Sequence, residues 1–218
     1  MSGIYKKSIQ RKYDILKASQ ELFSTKGYQS TSINNIMDKA GAAKSVFYYY
    51  YNSKEQVLED LVNMNINQIA VALSDIVNDR QLTALEKIQR MIMEEFKISF
   101  NDYSKDNHVH NIKNVDMHQK LLVRMTYVIA PLFNSVISQG IEEGTFRVNF
   151  PLETTEILLS GIHFITDLGI FNWSKEQYLR KVNACADLIE RVLGIVPGSL
   201  QYLNTLLNEV PDIVNGEE

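Results

Sequence analysis

The chain has few of the residues that mark disulfide-rich or low-complexity proteins, with one cysteine, four prolines and ten glycines among its 218 residues. The single cysteine, Cys185, excludes a disulfide within the chain. So few prolines and glycines exclude a low-complexity linker. No apolar stretch of the kind that forms a signal peptide opens the sequence, so we expect a cytoplasmic protein.

The sequence also lacks the signatures of common enzymes. It has no phosphate-binding loop, no dinucleotide fingerprint, no G-x-S-x-G nucleophile elbow and no H-E-x-x-H zinc motif. One cluster has residue types that bind metals, and it comprises Asp106, His108, His110, Asp116 and His118. Its spacing matches no common metal site, so we expect solvated surface there, with metal binding as the alternative. We expect no cofactor and no enzymatic activity.

The most apolar segment of the chain is too short to suggest a membrane span. This segment, residues 157–173, includes His163 and Asp167 and is shorter than the roughly 20 residues that cross a bilayer. We expect a buried helix here and no membrane partner. The two polar side chains lie at i and i+4, so they can bond to each other or contact a ligand.

Charge is distributed unevenly along the chain. The net charge is −4, but residues 1–54 contain nine lysines and arginines against three acidic residues. A basic head is attracted to phosphate, whereas the acidic remainder stays soluble and away from it. The imbalance favours nucleic acid as the partner of the N-terminal part.

The strongest local pattern is a pair of short helices joined by a glycine turn, within residues 33–54. Thr31 and Ser32 can cap the first helix, and Gly41 can end it. A second helix follows over residues 44–51. The first helix has an apolar stripe at one-face spacing, formed by Ile33, Ile36, Met37 and Ala40. The pattern predicts a helix-turn-helix.

The second helix contains four consecutive tyrosines, which cannot all be buried because successive side chains point about 100° apart. We place Phe47 and Tyr51 on the buried side, and a fully packed aromatic seam is the alternative. Outward lysine, hydroxyl and aromatic groups suit a major groove. The DNA contacts we expect are Thr31, Ser32, Lys44, Ser45, Val46, Tyr48, Tyr49, Tyr50 and Lys54.

Residues 15–61 resemble the N-terminal DNA-binding domain of the tetracycline-repressor (TetR) family of bacterial transcription regulators. The matching pieces are ELF and KGY before the first motif helix, TS at its cap, AGAAKSVFYYYY across the turn and second helix, and SKE at the next helix. The resemblance implies a homodimer that binds a double-stranded DNA operator, with a helical body that binds a small-molecule effector.

Helical periodicity continues through the chain, and no strand pattern competes with it. We therefore expect an all-α protein with a three-helix, helix-turn-helix DNA-binding domain (1–53) and a helical effector-binding and dimerisation domain (54–218). Pro131 should kink one body helix. The helices predicted around and beyond the motif span residues 8–25, 54–78, 82–103, 108–118, 119–143, 151–172, 174–193 and 198–209.

The two most hydrophobic helices, 151–172 and 174–193, are expected to form a dimer, because the resemblance implies a four-helix dimer bundle at this point. The predicted interface residues are Leu158, Gly161, Ile165, Val182, Cys185 and Ile189. Aromatic residues that could converge around the Pro131 kink predict an effector pocket. The residues expected to line it are Phe96, Phe100, Tyr103, Tyr127, Phe164 and Asp167.

These observations predict a sequence-specific transcriptional regulator, a dimeric repressor that a small apolar or aromatic effector releases from a palindromic operator. The carboxylate of Asp167 favours a neutral or cationic effector. The alternative is a DNA-binding protein that acts through a protein partner or by architecture, without a small-molecule effector. A pocket in the body distinguishes the two hypotheses.

Overall fold

The computed structural model describes residues 3–104, 115–167, 170–171 and 173–202, with only the backbone described at 3–8, 99–104 and 115–118. Within these residues the regular secondary structure is helical, without strands, which confirms the predicted all-α fold class. The nine described helices are α1 (Gly3–Lys26), α2 (Ile33–Ala40), α3 (Lys44–Tyr50), α4 (Lys54–Asn78), α5 (Ala84–Ser104), α6 (Val115–Val128), α7 (Ala130–Glu142), α8 (Pro151–Ile165) and α9 (Lys175–Leu193).

The helix-turn-helix forms because its boundaries are set by local capping. Ser32 accepts a hydrogen bond from the Asn35 N–H while the Asn35 side chain accepts from the Ser32 N–H, a capping box at the start of α2. Gly41 ends α2 at φ 58°, in the left-handed region that favours glycine. The first helix, α1, begins at Gly3, earlier than the predicted residue 8.

The long helix α4 begins and ends where the sequence predicted. Ser53 is its N-cap and accepts from the Gln56 N–H, while Asp79 follows its last residue, Asn78. Its buried side chains contact both the helix-turn-helix and the body, so the two parts share one hydrophobic core. The chain then turns back through α5.

The predicted helices 108–118 and 119–143 are wrong in their boundaries. Val115 to Val128 form one continuous helix, α6, and the break comes at Ile129 instead. Pro131 lies in the first turn of α7, where its missing N–H costs nothing and its ring prevents the preceding helix from continuing. Only Ile129 separates the two helices, and it keeps helical backbone angles while its N–H donates to the Met125 carbonyl at 2.8 Å. The interruption therefore lies where the sequence predicted a kink.

The predicted helix 151–172 is too long, because α8 ends at Ile165. The indole N–H of Trp173 donates to the Ile165 carbonyl at 3.0 Å, which satisfies an acceptor that a continuing helix would have used. Within the predicted helix 198–209, residues 198–202 form turns, and the remainder lies outside the described residues.

The stretch Gln119–Glu142 has the length and hydropathy of a membrane-spanning helix, although it comprises two helices here. Its apolar composition is explained by packing, because one side of it lies in the core. The buried side chains on that side are Met125, Ile129, Ala130, Phe133, Val136 and Ile137. The core surrounds a cavity that α4 to α9 enclose.

Candidate DNA-reading surface and effector pocket

The second helix of the motif, α3, presents one polar and aromatic face to solvent. Phe47 and Tyr51 are buried, as predicted. The exposed side chains are Lys44, Ser45, Tyr48 and Tyr49, with Tyr49 77% exposed. The Lys44 ammonium lies 6.0 Å from the Tyr48 ring centroid, so cation and aromatic share one patch. We call these four residues the α3 face.

Four other predicted DNA contacts lie elsewhere. Thr31 is 1% exposed, and its hydroxyl donates to the Gly27 carbonyl at 2.8 Å, so its side chain is not on a contact surface. Val46 and Tyr50 are half-buried against the core. Lys54 donates to the carbonyls of Tyr28 and Thr31, at 2.7 and 3.0 Å. Its ammonium is therefore used to hold the fold together.

Ser32 is exposed, with its hydroxyl engaged in the α2 cap. Two polar contacts then attach the end of α3 and the helix α1 to α4. The Tyr51 hydroxyl, directly after α3, donates to Asp60 Oδ2 at 3.1 Å, and Lys12 of α1 lies 2.6 Å from the same oxygen. Burial, followed by the charge of Asp60, raises the pKa of Tyr51 well above its usual range. Asp60 thereby joins α1, α3 and α4.

Tyr28 provides a second attachment at the start of α4. Its hydroxyl donates to Glu55 Oε1 at 3.1 Å, and the Lys54 ammonium lies 4.2 Å from its ring centroid. Backbone and hydroxyl hydrogen bonds at the first turn of α4 lower the pKa of Glu55. The helix-turn-helix is thus held on α4 from two sides.

An apolar pocket of about 250 Å³ lies in the body. Its walls come from α4 through α9 and are mostly Ile, Leu, Met and Phe. Pockets that are mostly apolar with a few polar groups are the usual form of small-molecule sites. The pocket is partly open to solvent.

Few polar groups interrupt these walls, and Glu95 of α5 is one of them. Its side chain is 12% exposed, and Oε2 lies 3.8 Å from Nε2 of His163 on α8. Glu95 Oε1 is buried and accepts no hydrogen bond from any described residue. Burial raises the pKa of Glu95 to about 8. Asp167 and Tyr178 also line the pocket.

The predicted effector residues divide into three groups. Phe96 and Asp167 line the pocket, as do Phe133 and His163. The prediction is wrong for Tyr127 and Phe164, because neither side chain lines the pocket. Tyr127 is 73% exposed, and Phe164 is 45% exposed and contacts Phe171. The side chains of Phe100 and Tyr103 lie outside the described residues.

The predicted dimer residues also divide, and most of them face inward. Val182, Cys185 and Ile189 of α9 line the pocket, and so does Leu158 of α8. Ile165 is half-buried. Gly161 is exposed, and an added Cβ would meet nothing within 4 Å. A different apolar stripe is exposed on α8, made of Ile157, Gly161 and Phe164, with Leu188 exposed on α9.

Sequence reasoning missed two residues of these sites. Glu95 falls at i+3 and i+7 from Ile92 and Ile88, so a carboxyl within an apolar stripe was the signal that could have found it. Asp60 gave no such signal, because its partners come from two distant segments. In the described part of the chain, no three His, Cys, Asp or Glu side chains gather to hold a metal. The side chains of the predicted acid and histidine cluster at 106–118 lie outside that part.

Two family models match the chain. Residues 15–61 match the model described as bacterial regulatory proteins, tetR family, and residues 97–188 match the one described as tetracyclin repressor-like, C-terminal domain. The first covers α2, α3 and the start of α4. The second covers most of the helices that enclose the pocket.

Curated relatives align with both parts. The chain is 25% identical over 151 residues to the HTH-type transcriptional repressor KstR2 of Mycobacterium tuberculosis, covering 66% of this chain and 72% of the relative. It is 21% identical over 186 residues to the fatty acid metabolism regulator protein of Bacillus subtilis, covering 80% and 91%.

Solved structures share the fold. The crystal structure of a TetR-family transcriptional regulator from Syntrophomonas wolfei superposes with a TM-score of 0.63 at 19% identity, covering 91% of this chain and 95% of that one. A gamma-butyrolactone receptor superposes with a TM-score of 0.59 at 15% identity, covering 93% and 99%. At these identities the likeness establishes the arrangement of helices.

Proposed function

We propose that this chain, which belongs to the TetR family of DNA-binding transcriptional regulators, is a dimeric repressor that a small, mainly apolar effector releases from a palindromic operator. The observation that carries the proposal is the position of α4. Its first turns hold the helix-turn-helix, and Asn65, Ile66 and Ile69 farther along it line the pocket. We place the boundary between the DNA-binding domain (1–53) and the effector domain (54–218) at the start of this helix.

The α3 face is the surface proposed to read DNA. A helix that presents lysine, hydroxyl and tyrosine groups outward can contact both phosphates and base edges in a major groove. Two such helices in a two-fold dimer would read the halves of an inverted repeat. Thr31 and Lys54 are left out of the proposed contacts, because their side chains bond within the domain.

Selection from random duplexes tests this surface, and it should enrich an inverted repeat. Replacing Lys44 or Tyr49 with alanine should change the ranking of sites, at about 1–3 kcal/mol for each lost base contact. Tyr127→Ala is the matched control, because Tyr127 is as exposed as Tyr49 but lies in the body. If no inverted repeat is enriched, or if the control shifts the ranking equally, the α3 face is not the reading surface.

The exposed stripe on α8 is proposed as the dimer contact, with a second copy of this chain as its occupant. Ile157 is 72% exposed, and Gly161 and Phe164 follow at i+4 and i+7 on the same side. Most soluble oligomers are two-fold dimers, in which such a stripe meets its own copy. This proposal replaces the predicted seam through Val182, Cys185 and Ile189.

Light scattering on two charged variants tests the dimer. Ile157→Glu buries an unpaired charge in the proposed contact and should give monomers. Val71→Glu is the matched control, since Val71 is similarly exposed on α4, and it should stay dimeric. A dimeric Ile157→Glu variant would move the contact to another face.

The pocket supports effector control over the alternative of a partner-regulated or architectural protein. An effector releases DNA only if it binds the DNA-competent and DNA-incompetent states with different affinity. The test is operator release in the presence of small amphiphiles. If bulky substitutions that fill the pocket leave every response unchanged, a protein partner becomes the better explanation.

A further inference from the structure

We infer that the effector is an amphiphilic cation, and that the carboxylate of Glu95 binds its positively charged head while the tail lies along the apolar walls. This inference rests on the proposed effector response and names the class of molecule that produces it. It also moves the charged anchor from Asp167, which the sequence suggested, to a residue deeper in the pocket.

The geometry of Glu95 points to a missing partner. Its Oε1 is buried without a hydrogen bond from any described residue, and its Oε2 lies 3.8 Å from His163 Nε2, beyond hydrogen-bond distance. Buried polar atoms in proteins are nearly always paired, and an unpaired one is destabilising. Because Glu95 lines the pocket, a bound molecule can supply the missing partner.

The surrounding groups determine the sign of that molecule. Three of the pocket-forming helices, α4, α6 and α7, contribute no titratable side chain to the described lining residues, and no lysine or arginine is among those residues. The titratable groups that face it are Glu95 on α5, His163 and Asp167 in and after α8, and Tyr178 and Cys185 on α9. Among the described lining residues, an anionic head would meet two carboxyl groups and no permanent cation. A cationic head would meet Glu95, with aromatic rings nearby.

Binding of a cation is coupled to release of a proton from Glu95. Burial keeps Glu95 mostly protonated at neutral pH, with a pKa of about 8. A cation pairs with the ionised carboxylate, so binding releases the Glu95 proton to solvent. As the pH rises towards about 8, the affinity for a permanent cation should therefore increase by up to about tenfold for each pH unit. Above about pH 8 the affinity should level off.

The test uses three amphiphiles with the same tail: octyltrimethylammonium, the uncharged octyldimethylphosphine oxide and octanoate. Binding to the full chain is measured by calorimetry between pH 6.5 and 8.5, without DNA. The fluorescence of Trp173, the single tryptophan of the chain, provides a second signal, because Trp173 packs against Tyr178 of the pocket wall. Operator release by each compound is measured separately.

The wild type should bind the ammonium compound at least about tenfold more tightly than the phosphine oxide at pH 8, and more weakly as the pH falls. Glu95→Gln should lose both the preference and its pH dependence. Glu94→Gln is the matched control, because Glu94 is the adjacent acid and does not line the pocket. It should behave as the wild type does.

Failure of the cation assignment can be distinguished from failure of the proposed effector response. If octanoate or the phosphine oxide binds best and releases the operator, the cation assignment is overturned while the proposed effector response stands. An unchanged ammonium affinity in Glu95→Gln also overturns the assignment. If the ammonium compound binds through Glu95 without releasing the operator, the site stands and the proposed response fails. If none of the three binds, both are overturned.

Discussion

Glu95 should make the stability of the unliganded protein depend on pH in a range where most carboxyl groups do not titrate. Its pKa moves from an ordinary 4.5 to about 8 in the folded state. Below pH 4.5 the Glu95 carboxyl is protonated in both the folded and the unfolded chain, and its contribution to the free energy of unfolding is fully present. As the pH rises from there to about 8, only the unfolded chain loses the proton, so stability falls.

The size of this effect follows from the shift in pKa. Each pH unit between the two values lowers the free energy of unfolding by up to about 1.4 kcal/mol, so the full cost is on the order of 5 kcal/mol. Solvent screening reduces it little, because the side chain is only 12% exposed. Glu95→Gln removes the titration and should be more stable than the wild type at pH 8, with little difference at pH 5.

Urea unfolding from pH 5 to 8 measures the difference, at one protein concentration because dimer dissociation would otherwise contribute. The adjacent Glu94→Gln controls for loss of one acidic charge, and its curve should follow that of the wild type. If the difference between the wild type and Glu95→Gln stays constant across this range, Glu95 ionises normally. The proton coupling of cation binding would then fail as well.

Three further predictions concern packing, attachment and the thiol. Gly140→Ala should cost about 1–3 kcal/mol in urea unfolding, because its Cβ would lie 2.2 Å from the Phe146 ring; equal stability would contradict this. Tyr51→Phe should cost about 1 kcal/mol through the lost hydrogen bond to Asp60. An effect that persists in an Asp60→Ala background, which lacks the acceptor, would assign it to another contact. Cys185, whose pKa burial raises, should react slowly with a thiol reagent at pH 8 until urea unfolds the chain.

Local signals predicted the boundaries of the helix-turn-helix and of α4. The capping residues Ser32, Gly41 and Ser53 act within a few residues of themselves, so their effect can be inferred without knowing the fold. The inward positions of Phe47 and Tyr51 also followed from helical spacing alone. Family resemblance was needed only to connect this motif with operator binding.

Contacts between distant segments explain where the predictions failed. The end of α8 is stabilised by Trp173, which donates to the Ile165 carbonyl from beyond the helix. The apolar stripe of α9 was predicted to face a second subunit, but periodicity cannot tell whether a stripe faces another subunit or the interior of its own chain. Val182 and Ile189 face the pocket, so the dimer contact is now proposed on α8.

The arrangement of α4 suggests how the two sites could communicate. Its first two turns are fixed to the reading head by Lys54, which donates to the Tyr28 carbonyl, and by Asp60, which accepts from Tyr51. Within three turns of Asp60, Asn65 and Ile69 border the pocket. A helix that is bonded at one end moves largely as a unit, so a ligand that displaces its pocket segment also displaces α3. In a two-fold dimer such a displacement changes the separation of the two reading helices, which an operator with fixed half-site spacing does not tolerate.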